Sequence, residues 1–238
     1  MDIEEKDMLV PQHVAIILDG NRRWAKKQGL TPKQGHQRGF ENLENLSEYV
    51  FSKGVKVLSV YAFSTENFKR TQDEVGYLMD LFAVGFKKYL ERHNKKNIKI
   101  VFSGRREPLP EKVLKIIDDI TEKTKNNTAG IFNICVNYGG HAEIVDTAKK
   151  LASEVKEGVL AIEDIDEEVF EKNLYNDLPP IDFMIRTSGE QRLSNFLLWQ
   201  NAYAEFYFPT VEFPAFDEKE FDKALLEFNK RSRRFGGN

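Results

Sequence analysis

The stretch "VAIILDGNRRWA", residues 14–25, decides how the rest of the chain is read. Its opening run of aliphatic residues is too continuous for a strand with one wet face. It reads as a strand buried on both sides, as in a parallel sheet covered by helices. The run stops at Asp19-Gly20-Asn21, and Arg22, Arg23 and Trp24 follow at once. A carboxylate, a glycine, an amide and two guanidinium groups thus crowd the end of a buried strand, where packing alone has no use for them.

Outward from this stretch, further apolar runs occur at 55–63, 97–104, 130–138, 182–187 and 204–209. Together with 13–18 they give six candidate strands. Helical patterns fall between them at about 35–53, 73–96, 110–126, 140–157 and 216–232. Thr71 or Asp73 can cap the second helix and Pro110 opens the third, while Gly54 and Gly130 follow the first and third. The expected fold is therefore α/β, with a mainly parallel central sheet of about six strands flanked by helices. No linker or internal repeat divides the chain, so 1–238 is expected to be a single domain, with a short extension at 1–10 and a basic tail at 230–238.

Bulk properties narrow the function. Hydrophobic residues at 41% and charged residues at 31% suit a soluble globular chain. A formal net charge of −3 argues against general nucleic-acid binding, so any anion site must be local. The lone cysteine, Cys135, lies in the apolar run "GIFNICVNY" and reads as a buried strand residue rather than a reactive thiol. The acidic start "MDIEEKD" lacks the apolar stretch of a secretory signal, and no run is long enough to span a bilayer. A cytoplasmic location is the expectation.

In a sheet of this kind ligands bind outside the carboxyl ends of the strands. Three polar clusters fall there. In the first, Gly20 permits a sharp turn, Asn21 can cap the next helix, and Arg22 and Arg23 offer forked donors to phosphate oxygens. Asp19 would repel a phosphate unless a divalent cation lay between them, most simply Mg²⁺. The same stretch also reads as a capped helix with Asp19 paired to an arginine. In the second cluster, "YAFSTENFKR" sets Ser64, Thr65, Glu66, Asn67 and Arg70 after the second strand; a capped turn with solvated residues is the plainer reading. In the third, Arg186, Thr187, Ser188, Arg192 and Ser194 follow the fifth strand as a second anion cradle. Three such clusters at three strand ends point to one site.

These stretches resemble the cis-prenyltransferases. The resemblance runs from about Pro11 to the C-terminus and rests on "HVAIILDGNRRWA", "GHQRG", "YAFSTENFKR", "NYGG" with "AEIVD", and "IRTSGEQRLSNFLLWQNAYAEFYF". It implies an α/β homodimer with an apolar tunnel that condenses an allylic diphosphate, such as farnesyl or geranyl diphosphate, with isopentenyl diphosphate, using Mg²⁺ and forming cis double bonds. It further implies undecaprenyl diphosphate, the cell-wall lipid carrier precursor, as the product, released through peripheral membrane contact.

Carried over by motif, Asp19 matches a Mg²⁺-binding catalytic aspartate, and Gly20, Asn21, Arg22, Arg23, Trp24 and His36 an allylic diphosphate site. Ser64, Thr65, Glu66, Asn67, Phe68 and Arg70 match a loop that holds substrate and assists proton removal, with Asn67 as the family's catalytic candidate. A carboxamide is a poor base, so a positioning role suits Asn67 better. Arg186, Arg192, Leu193 and Ser194 match the isopentenyl diphosphate site, Glu205 a second Mg²⁺ ligand, and Arg234 and Gly236 a tail that reaches the partner subunit's site.

The chain also departs from the family pattern. Pro32 stands where an arginine is usual, with Lys33 beside it as the candidate replacement. His141, Gln191 and the loop 103–110 differ as well, which leaves product length and allylic primer open. For the tunnel, the segment 73–90 carries Val75, Leu78, Met79, Phe82, Phe86, Tyr89 and Leu90 on one stripe, widened by Leu81 and Val84, with Ala83 and Gly85 leaving room for a ligand. A short- or medium-chain synthase, a non-catalytic partner subunit and a haloacid dehalogenase-like phosphatase are the alternatives. The last would need a second aspartate where Asn21 stands. "DDITE" (118–122) resembles an aspartate-rich metal motif but reads as a solvated helix face.

Overall fold

The computed structural model describes residues 8–231. Six strands, β1 (His13–Ile17), β2 (Val57–Ser64), β3 (Ile98–Ser103), β4 (Gly130–Tyr138), β5 (Phe183–Arg186) and β6 (Glu205–Tyr207), form one sheet in the order β3-β4-β2-β1-β5-β6. Every pairing is parallel. The helices are α1 (Asn21–Lys27), α2 (Pro32–Ser52), α3 (Gln72–Lys95), α4 (Glu111–Thr124), α5 (Gly140–Lys156), α6 (Glu167–Lys172) and α7 (Glu218–Asn229). No helix among the described residues is long and apolar enough to cross a membrane.

Both sheet faces are covered, which is why the strands read as unbroken apolar runs. Val14, Ile16, Leu58, Val60, Phe132, Ile134, Phe183 and Ile185 pack in one buried cluster with residues of α2, α3, α4 and α7. Ala15, Ile17, Tyr61, Cys135 and Met184 form a second cluster with Ile181, Phe196 and Leu197. Cys135 is fully buried, as its setting requires.

A row of polar side chains crosses the sheet between β1 and β3. His13 Nδ1 donates to the Pro179 carbonyl at 2.7 Å, and its Nε2 meets the Ser59 hydroxyl at 2.8 Å. Asn133 Nδ2 donates to Ser59 at 3.0 Å, and Ser103 donates to Asn133 Oδ1 at 2.8 Å. Asn176 Nδ2 closes the row on Ser103 at 2.9 Å.

β1 and β5 are neighbours, but the chain leaves β1 toward β2 and leaves β5 toward β6, on opposite sides. The crevice between their carboxyl ends is the switch point where such sheets bind ligands.

Several details differ from the sequence reading. Gly20, not Asn21, is the N-cap of α1; it has φ 105° and makes no side-chain cap bond. Asn21 instead donates back to the Leu18 carbonyl at 3.1 Å. Val84 is 62% exposed, because the buried face of α3 continues through Gly85 and His93 instead. The room expected at Gly85 is filled: a Cβ there would stand 1.8 Å from the Phe40 ring. The helix over 118–122 does turn its acids outward, and Asp118 pairs with Arg106 at 2.8 Å.

Candidate functional site

Asp19 lies just past the end of β1, and its carboxylate joins two arginines from different segments. Oδ2 accepts from Arg186 Nη2 at 2.9 Å and Oδ1 from Arg23 Nη2 at 3.0 Å. Burial opposes ionisation of Asp19, but these two guanidinium groups outweigh it and hold the carboxyl below its ordinary range. Arg186 is only 4% exposed; its Nη1 donates to Ser194 Oγ and to the Arg192 carbonyl, both at 2.6 Å. Its Nε is buried without a partner. Glu190 continues the chain of charges, accepting from Arg23 at 2.7 Å and from Arg192 at 2.5 Å. The result is a run of alternating charge, Arg192–Glu190–Arg23–Asp19–Arg186, across the crevice.

The backbone around this run is held in unusual shapes. A Cβ on Gly20 would lie 2.0 Å from Ser188 Oγ, so no other residue fits that turn. Thr187 and Ser188 both donate to the Asp19 carbonyl, at 2.7 and 3.2 Å. Ser188, Ser194, Asn195 and Leu197 all have positive φ. Such backbone strain in non-glycine residues concentrates where a loop is constrained for a task.

The second cluster lies after β2. Ser64 caps a short 3-10 turn, Thr65–Lys69, with the Asn67 amide oxygen accepting from the Ser64 N–H at 3.0 Å. Capping and site residues are here the same. Glu66 accepts from Asn195 Nδ2 at 3.3 Å, which ties this turn to the loop after β5. On α2 and α3, Glu74 accepts from Arg70 at 3.0 Å and meets His36 Nε2 at 3.3 Å, with Arg22 at 3.9 Å. Burial, with Arg70 nearby, pushes the His36 pKa down, so His36 is a neutral donor or acceptor.

These groups rim a cavity of about 590 Å³. Asp19, Asn21, His36, Ser64, Glu66, Asn67, Arg70, Arg186 and Ser194 form its polar mouth. Phe40, Leu43, Leu78, Leu81, Phe82, Phe86 and Tyr89 form an apolar body. Charged groups at the mouth and rings inside suit an amphiphile with an anionic head and a hydrocarbon tail.

Of the other residues singled out in the sequence, Gly20, Arg22, Arg23, Trp24, Thr65, Arg192 and Leu193 lie on the segments around the mouth without lining it. Phe68 turns away and packs edge-on against Phe63 at 4.9 Å. Lys33 is not aimed at the cavity; its ammonium stands over the Tyr77 ring, 5.3 Å from the centroid. Glu205 is not brought to Asp19. The register pairs Glu205 with Phe183, and Asp19 lies past the level of Arg186, roughly 16 Å further along the strand direction. Arg231 holds the Glu205 carboxylate at 2.8 Å. Arg234 and Gly236 lie outside the described residues.

Three residues were missed in the sequence. Glu74, four residues after Arg70, was an available ion-pair signal. Glu190 and Asn195 both lay inside a quoted motif, but the part played by Asn195 shows only in its loop contacts.

Among the described residues no group of three or more His, Cys, Asp or Glu could hold a metal by itself. The donors do fit a hard cation that keeps few protein ligands and takes the rest from phosphate. Asp19 offers a carboxylate at the mouth, and Asn21 Oδ1 is a buried oxygen with no partner.

Known proteins are similar to this chain over nearly its whole length. A family model described as putative undecaprenyl diphosphate synthase matches residues 17–236. An isoprenyl transferase of Fusobacterium nucleatum is 51% identical over 96% of each chain. A ditrans,polycis-undecaprenyl-diphosphate synthase of Legionella pneumophila, specific for (2E,6E)-farnesyl diphosphate, is 45% identical over 95% of this chain and 96% of its own. The crystal structure of lavandulyl diphosphate synthase from Lavandula x intermedia with dimethylallyl diphosphate superposes with a TM-score of 0.92 at 38% identity, covering 95% of this chain and 98% of that one.

Proposed function

The chain belongs to the undecaprenyl diphosphate synthase family of isoprenyl transferases, and from that premise we propose that it condenses isopentenyl diphosphate with an allylic diphosphate to give a cis-polyprenyl diphosphate, acting as one catalytic domain. One observation carries the reading. Two arginine cradles flank Asp19 at the mouth of an apolar cavity, so two diphosphates can be held side by side with one hydrocarbon tail inside.

In this reading the allylic diphosphate takes the cradle of Gly20, Asn21, Arg22, Arg23, Trp24, His36 and Arg70. Arg186, Arg192, Leu193 and Ser194 take isopentenyl diphosphate. Breaking the allylic C–O bond puts charge on the leaving oxygens, which the fixed arginines and the donors on α1 stabilise. The isopentenyl alkene then forms the new C–C bond to the allylic carbon that lost diphosphate, and one proton passes to a diphosphate oxygen or water. Asn67 positions the acceptor, because its carbonyl is already engaged by Ser64 and a carboxamide is a poor base. Mg²⁺, bound by Asp19 together with diphosphate oxygens, would add charge neutralisation at the leaving group. Glu205 joins that role only if a second copy of the chain brings it there, since one chain keeps it apart from Asp19. A homodimer with a cytoplasmic location completes the reading.

Undecaprenyl diphosphate is the product that the family description suggests. A short or medium chain is the second reading, favoured by the modest cavity of about 590 Å³, whose lining includes Phe40 stacked on Tyr89 at 4.7 Å. The test is to incubate the purified protein with farnesyl or geranyl diphosphate, labelled isopentenyl diphosphate and Mg²⁺, and to size the products. Labelled chains are expected. Absence of incorporation with every primer sinks the catalytic reading in favour of a partner subunit, and phosphate release without chain growth favours a phosphatase.

A further inference from the structure

Glu74 belongs to none of the motifs that mark the site, yet it occupies the middle of one cradle. Arg70, His36 and Arg22 surround its carboxylate at 3.0, 3.3 and 3.9 Å. Its side chain is 18% exposed against 62% for Arg22, so the carboxylate lies inside and the guanidinium group outside. A carboxylate presents to these donors the same kind of charged oxygens as a phosphate. Two such anions in one cradle repel each other, so a diphosphate entering here must compete with Glu74.

Glu74 is also the first-turn residue of the helix that walls the cavity. α3 contributes Leu78, Leu81, Phe82, Phe86 and Tyr89 to the apolar lining. Its polar ties to the mouth include Glu74 and the Tyr77 hydroxyl, which donates to the Lys33 carbonyl at 3.1 Å with Lys33 over the ring, while Val75, Leu78 and Met79 pack inward. Gln72, Asp73, Gly76 and Asp80 around that turn are exposed, and a Cβ on Gly76 would touch nothing within 4 Å. Glu190 bridges Arg23 and Arg192 in a similar way, but its loop gives the cavity only polar mouth residues, Ser194 and Asn195, and no part of the apolar wall.

We propose that Glu74 is a displaceable counter-anion that latches α3 to the cradle: diphosphate binding expels it, and the wall of the apolar cavity loosens as the head group arrives. The inference rests on the reading that this cradle takes the allylic diphosphate, and it names how that site is coupled to its tail channel. A cavity of about 590 Å³ is of the size that holds a drug-like ligand, so a chain of many isoprene units needs its wall to yield.

The experiment uses the full chain with inorganic diphosphate and Mg²⁺, reading affinity by calorimetry and backbone amide exchange across α3. Glu74→Gln should bind diphosphate about three- to tenfold more tightly, the scale of losing a partly exposed ionic competitor. Exchange in the first turns of α3 should quicken on adding diphosphate to the wild type, and in Glu74→Gln should be quick without it. Asp73→Asn removes a neighbouring first-turn acid that has no part in the cradle, and should alter neither readout. Equal or weaker binding by Glu74→Gln overturns the proposal, as does unchanged or slower α3 exchange in the liganded wild type. The wild-type comparison stands even if the variant folds poorly. Failure of both proteins to bind diphosphate would instead overturn the cradle assignment itself.

Discussion

At the scale of single residues, Asp19 is where the two cradles meet. Replacing it with alanine should lower turnover by roughly 10²-fold or more, the cost of losing one placed electrostatic group. The fold should survive, because the side chain, 26% exposed, lies beyond the strand and packs no core. Steady-state rates with circular dichroism check both halves, and near-normal turnover removes Asp19 from the chemistry. Lys33 is expected to matter less. Its ammonium rests on Tyr77, so Lys33→Ala should change the allylic Michaelis constant by less than about threefold, the worth of one exposed contact. Pro32→Arg should lower that constant by about tenfold, as one charge-assisted hydrogen bond would. A large effect of Lys33→Ala would show that the lysine leaves Tyr77 when substrate arrives.

At the scale of elements, the strands were legible almost to the residue because burial on both faces keeps them predominantly apolar, with few polar residues such as Ser59 and Asn133 between. The helix α6 was not: none of its residues is buried, so it has no apolar stripe to read. The glycine at 85 was misread for a related reason. A sequence shows that a side chain is missing but not which neighbour has moved into its place, and here the Phe40 ring has done so. Gly85→Ala should therefore cost about 1–3 kcal/mol by overpacking and shift products to shorter chains, since Phe40 lines the cavity and would be pressed toward it. Urea unfolding and product chromatography test this together; unchanged stability and product length would contradict it. The site's residue types were legible from the polar ends of β1, β2 and β5. The remote position of Glu205 was not, because it depends on register, which no local pattern states.

At the scale of the whole molecule, assembly and acid stability can be measured directly. Phe196 and Leu197 are core residues, but Tyr203 is 70% exposed, and Phe206 in the edge strand β6 and Phe208 just after it are half-buried. A homodimer covering this edge is expected, and sedimentation of a monomer at micromolar concentration would count against it. His13 and His93 are buried, which lowers each pKa from near 6.5 to about 4. Both are therefore neutral when folded, so their contribution is complete above pH 6.5 and is lost as the pH falls toward 4. Unfolding midpoints in urea should drop across that window; a flat profile would mean that these rings are not held neutral. The polar row that begins at His13 has one more consequence. Strands that are apolar on both faces give little preference for one alignment over another, since a slip by one residue still buries hydrocarbon. His13, Ser59, Asn133, Ser103 and Asn176 find their partners in a single alignment only. The row thus works like the teeth of a key, favouring one setting of the strands and so holding Asp19 just past the level of Arg186 before any ligand arrives.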